Sequence, residues 1–211
     1  MFLSPDRSSS FMDAALVYLL VFVGGFSVMS IELLGGRILA PYFGSSIHVW
    51  GSIITVFMLA LSVGYLLGGR LSLVAPSLTR LGLIFLVCAV TVLPLVVWRA
   101  PLMASVFDRV EDPRYGSLIA AIALFFVPTA CLGFISPYAV RLLVEKTDHS
   151  GYVAGKLYFV STAGSALGTL LTSFYFVLWF EVDTILLALD GALAACAAAA
   201  LAGGTRHQRV A

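Results

Sequence analysis

Charge is what this sequence has least of. Only 11% of its 211 residues are Asp, Glu, Lys or Arg, against about 25% in an ordinary soluble domain. Apolar residues make up 61%, where about 45–50% is usual. A chain this short cannot hide that excess in a core, because a small domain leaves much of its surface exposed. Lipid must therefore solvate most of the side chains. The net charge of +1 provides no basic surface, so no nucleic-acid partner is expected. Cysteine is scarce as well. Cys88, Cys131 and Cys196 lie inside apolar runs without paired spacing, and read as small packing residues rather than a disulfide framework or a zinc site. Catalytic signatures are missing too: there is no Walker A sequence, no strand–GxGxxG–helix unit, no HExxH and no nucleophile elbow. There is no c-type haem motif, and no pair of intramembrane histidines. The residues assign no catalytic group, no metal ligand and no cofactor.

What the sequence has instead is a succession of long apolar runs. A spanning helix needs about 20 mostly apolar residues. Six runs qualify. The first is 13–40, with Asp13 placed as its N-cap and Pro41 as its stop. The others are 48–71, 78–98, 117–143, 152–180 and 183–201, and Pro128 and Pro137 should kink the fourth. The first run is longer than the roughly 7–15 apolar residues of a signal peptide, and reads as a retained span. The fold expected is all-α: a polytopic membrane protein of six transmembrane helices forming one domain over 1–211. A polar segment, 1–12, precedes the helices, and a short basic tail, 203–211, follows them. In the longest loop, 99–116, Leu102, Met103, Val106 and Val110 recur at helical spacing. That spacing predicts a short amphipathic helix lying at the interface.

The distribution of Lys and Arg sets an orientation. One side carries Arg7, Arg70, Arg80, Arg141, Lys146, Arg206 and Arg209, and the other Arg99, Arg109 and Arg114. The bias places both termini in the cytoplasm of a multi-pass protein of the cell membrane. Trp50, Trp98 and Trp179 then fall at the outer ends of the helices, as an aromatic belt.

Within the runs, two groups of residues stand out. Gly64 with Gly68, Gly151 with Gly155, and Gly164 with Gly168 have GxxxG spacing, which lets another helix approach closely. They serve either packing within the chain, or a sliding or dimer face. Glu32 and Asp190 are carboxylates inside spans, where each costs at least about 2.5 kcal/mol. Arg37 is five residues from Glu32, a poor spacing for an intrahelical pair. It is expected to meet a carboxylate on another helix, with Asp190, which falls at a depth similar to that of Glu32, the first candidate and Glu32 the second. Glu32, Arg37 and Asp190 are thus expected to form one connected polar site. That site is either an ion pair fixing helix packing, or a pocket for protons or a cationic or zwitterionic ligand. His48, beside Trp50, reads as an interfacial residue rather than a proton carrier. Lys156, just inside the fifth span, is a further candidate.

Five stretches carry a family resemblance. ELLGGRILAPYFGSS at 32–46, VW at 49–50, GYLLGGRL at 64–71, GFISPYAVRL at 133–142 and GKLYFVSTAGSALG at 155–168 occur in order. Across 16–189 the chain resembles the membrane domain of spermidine-synthase-like membrane proteins, in which a major-facilitator-like half is fused to a synthase. The resemblance implies a six-helix bundle like half of a major facilitator transporter. In fused members an aminopropyltransferase-like domain follows the helices. No such domain follows the sixth run here, so the chain alone is expected to be non-catalytic. The role implied is small-molecule transport or substrate handling in the lipid bilayer. The chain would act as a homodimer or with other membrane subunits, a separate aminopropyltransferase-like protein being one candidate partner. The alternative is a structural or anchoring subunit of a larger membrane complex.

Overall fold

Six helices long and apolar enough to cross a membrane carry the fold. In the computed structural model residues 7–144 and 150–210 are described, with side chains described for 14–144 and 150–205. The elements are α1 (Arg7–Phe43), α2 (Ile47–Leu71), α3 (Leu78–Val97), α4 (Arg99–Arg109), α5 (Pro113–Gly133), α6 (Ile135–Leu143), α7 (Ser150–Leu171), a π-helical turn (Thr172–Phe176), α8 (Val177–Trp179) and α9 (Val182–Val210). The spans are α1, α2, α3, α5 with α6, α7 through α8, and α9. No strand occurs among the described residues, and the all-α polytopic bundle is the one expected from the apolar runs.

Helix ends depart from expectation where a local signal is outweighed. Helix α1 begins at Arg7, so Asp13 lies inside it and is not its N-cap. No glycine or proline separates the two residues. Pro41 does not stop α1, which runs on to Phe43. In the last turn a proline removes only one of the bonds a helix end is already losing. The stop is Gly44, whose φ of +77° is the left-handed geometry of a glycine cap. The fourth span does more than kink. Helical bonding is interrupted at Phe134, three residues before Pro137. Pro137 has no N–H to offer the Gly133 carbonyl, whereas Pro128 is accommodated inside α5. Nor is 203–211 a separate tail, since α9 continues through Gly203 and Gly204 to Val210. Gly204 is buried against α3, where an added Cβ would lie 2.9 Å from the Thr79 nitrogen. Packing holds the glycines helical despite their low propensity. Lys146, counted for orientation, lies outside the described residues.

The bundle is assembled from three closely packed pairs: α1 with α7, α2 with α5, and α3 with α9. Helix α1 also touches α2, α5, α6 and α9, and is the central element. Its Leu20, Ile31, Leu34 and Leu39 are fully buried, as are Phe57, Phe85, Phe125 and Tyr138 around it. The rings of Phe57 and Phe125 meet with centroids 5.6 Å apart. At one end of the bundle Gly203 of α9 lies against Leu16 and Leu78. At the other, α4 folds across the helix ends, with Met103 buried and Phe107 against Tyr42 and Phe43. The helical spacing of Leu102, Met103 and Val106 is thus realised in α4, and Val110 stands just past its end as the C-cap.

Candidate functional site

Two of the three glycine motifs are used inside the chain. A Cβ on Gly64 would overlap the Ala130 carbonyl oxygen, and one on Gly68 would lie 2.6 Å from the Phe134 Cα. Gly164 and Gly168 meet the carbonyls of Phe22 and Phe26 in the same way, and Gly25 of α1 meets that of Ser161. Close approach brings hydroxyls into reach. Ser165 donates to the Gly25 carbonyl at 3.1 Å, and Thr172 donates to the Ser30 hydroxyl at 2.9 Å. The Ser30 hydroxyl in turn donates to the Gly168 carbonyl at 3.5 Å. The small-residue strip of the fifth span therefore faces α1. Gly151 and Gly155 have open space where a Cβ would stand.

Glu32 lies on the central helix α1. Gly25, Glu32 and Gly36 are seven and four residues apart, so they share one stripe of α1. Gly25 is backed by α7, and Gly36 by the Trp50 ring of α2, 2.7 Å from where a Cβ would be. Glu32 is half-buried between these contacts, and no described residue hydrogen-bonds it or pairs with it. A half-buried carboxylate with no cationic neighbour is an acceptor for a cation or a proton.

Arg37 is elsewhere. It is exposed at the α4 end and lines a cavity of about 550 Å³ with Arg99, Trp179, Phe180, Glu181 and Asp183. Asp183 is already taken, because the Arg99 guanidinium grips its carboxylate with two bonds, one of 2.9 Å. That clamp ties the start of α4 to the start of α9. Asp190 is seven residues deeper, about 10 Å along the helix. One of its carboxylate oxygens is buried without a hydrogen-bond partner among the described residues. The connected site of Glu32, Arg37 and Asp190 is therefore not formed: among the described residues the ion pairs are Arg99–Asp183 and Arg114–Asp112. The residues were matched by depth, but Glu32 and Arg37, five apart on α1, point to different faces, and α9 offers Arg37 its end rather than its middle.

The remaining candidates lie at the two ends. His48 is exposed at the start of α2, near the Asp112 N-cap of α5. Arg114 hydrogen-bonds the Asp112 carboxylate at 2.6 Å and holds it down to about 2, with His48 adding a smaller pull in the same direction. Lys156 is exposed on α7, its ammonium 5.1 Å from the centre of the Tyr152 ring. Sequence reasoning missed the Arg99–Asp183 clamp, since helix order alone does not tell which helix ends meet. It also missed an apolar cavity of about 400 Å³ between α1, the π-helical turn and α9, lined by Phe22, Phe26, Phe176, Phe180, Ile185 and Ala188 among others. No group of three or more His, Cys, Asp or Glu side chains that could hold a metal occurs among the described residues. Comparison of the chain with protein-family models, with curated proteins and with solved structures gives no match.

Proposed function

We propose that this chain is the transmembrane module of a spermidine-synthase-like membrane protein, and that it handles a small cationic or zwitterionic molecule at Glu32. The observation that carries this reading is the half-buried Glu32 carboxylate on the central helix, with which no described residue forms an ion pair. A charge kept at that depth without a partner costs several kcal/mol and calls for a function. The flanking helices support an assembled form, because the six-helix unit leaves one of them thinly packed. On the fifth span only Leu157, Gly164, Gly168 and Thr172 are buried, while Tyr158, Phe159, Leu167, Leu170 and Phe174 are exposed. A second copy, or another membrane subunit, against α2 and α7 would enclose Glu32 in a translocation path or a substrate pocket. The orientation proposed has both termini in the cytoplasm and α4 outside.

The test is uptake of a labelled diamine such as putrescine by proteoliposomes containing the purified chain. Wild type should take it up above empty vesicles, and Glu32→Gln should abolish the difference while folding normally. Equal uptake by the two proteins would refute the reading. The same thin packing of α7 also favours a second reading, a structural subunit that anchors a larger complex. That reading predicts no uptake, and purification in mild detergent with a stoichiometric second protein.

A further inference from the structure

The two cavities beside α9 are neighbours and share Phe180 in their linings. They differ in chemistry. The upper one, at the α4 end, offers an Arg37 guanidinium that pairs with no acid among the described residues, together with the exposed Glu181 carboxylate. The lower one is walled almost wholly by aromatic and aliphatic side chains. A cationic and anionic mouth above an apolar slot matches an amphiphile with a zwitterionic head.

The dimensions fit. On α1, Arg37 stands eleven residues outward from Phe26, about 16 Å at 1.5 Å per residue. Half of a bilayer hydrocarbon core is about 15 Å. Trp179 stands at the mouth and is exposed, as interfacial tryptophans are. The slot passes the π-helical turn Thr172–Phe176, whose Phe176 forms part of its wall. Such turns displace side chains that a regular helix would stack in line.

We propose that this groove is a binding site for one amine-bearing phospholipid. Arg37 takes the phosphate, Glu181 takes the ammonium, and one acyl chain fills the slot between α1 and α9. The Arg99–Asp183 clamp fixes the rim of the mouth, since Arg99 satisfies the second carboxylate and leaves Glu181 for the ligand. This site is on a different face of α1 from Glu32 and goes beyond the transport reading.

The test is native mass spectrometry of the delipidated full chain, titrated with a phosphatidylethanolamine, a phosphatidylglycerol and inorganic phosphate. Wild type should retain one phosphatidylethanolamine in preference to phosphatidylglycerol. Arg37→Gln should weaken that retention by about tenfold, the loss of one charge-assisted contact. Glu181→Gln should erase the preference between the two lipids. Ala188→Phe, which puts a ring into the slot, should block lipid with both head-group residues intact. Retention unchanged in Arg37→Gln or in Ala188→Phe would overturn the proposal. So would displacement of the lipid by inorganic phosphate alone, which would mark a free-anion site. If Ala188→Phe does not fold, wild type decides: its thermal midpoint should rise with phosphatidylethanolamine and not with phosphatidylglycerol or phosphate. Equal rises would overturn the site.

Discussion

Ser27 and Ser30 are both fully buried on α1, less than a turn apart, yet their hydroxyls fare differently. Ser30 bonds to α7 and the π-helical turn, while Ser27 has no partner among the described residues. Ser30→Ala should lower stability by about 1 kcal/mol, since it removes two interhelical hydrogen bonds that average about 0.6 kcal/mol each in a membrane protein. Ser27→Ala should cost nothing, because it deletes an unsatisfied group. Thermal unfolding of both variants in one lipid mixture checks the contrast, and equal losses would refute it. The Arg99–Asp183 clamp is partly exposed, with side chains 24% and 43% accessible, so its net worth is about 1 kcal/mol or less. Arg99→Leu or Asp183→Leu alone should lower the melting temperature more than the double substitution, which strands no charge. A double variant as unstable as the sum of the singles would rule out coupling between the two. Residue pairing was the least legible level in the sequence. Depth could be counted along each helix, which put Glu32 and Asp190 level and made Asp190 a candidate partner for Arg37. Rotation about the helix axis and the choice of neighbouring helix could not be counted. Those two variables put Asp183 at the mouth beside Arg37 and left Asp190 apart.

At the scale of elements, identical motifs have opposite uses. Gly64, Gly68, Gly164 and Gly168 touch backbone of another helix, whereas Gly151 and Gly155 face open space. Replacing Gly64 or Gly164 with Leu should therefore sharply lower the yield of folded protein, since a backbone contact cannot move aside as a flexible side chain can. Gly155→Leu should be tolerated within about 0.5 kcal/mol, as surface substitutions are. Size-exclusion profiles and melting temperatures of the three variants would settle this. A disrupted Gly155→Leu beside an intact Gly164→Leu would reverse the assignment. The spans themselves were legible because an apolar run of spanning length has few alternatives. Helix α4 was legible because its apolar residues keep helical spacing. The glycine motifs showed that close contacts exist, but not with what. The ends of α1 and α9 were misread because Pro41 and Gly203 are strong local signals that position and packing outweigh.

At the scale of the whole molecule, six crossings bring the N-terminus of α1 and the C-terminus of α9 to one end, and α4 to the other. The functional account depends on that arrangement. Glu32 is exceptional only if it lies within a bilayer, and Arg37 can meet a lipid phosphate only if it lies at one interface. The most direct measurement is labelling of single cysteines with a membrane-impermeant thiol reagent, in a chain whose three native cysteines are replaced. Glu111 and Thr205 are exposed at opposite ends of the bundle. Glu111→Cys should be labelled in intact cells, and Thr205→Cys only after the membrane is opened. Labelling of both from outside, or of Thr205→Cys alone, would contradict the account.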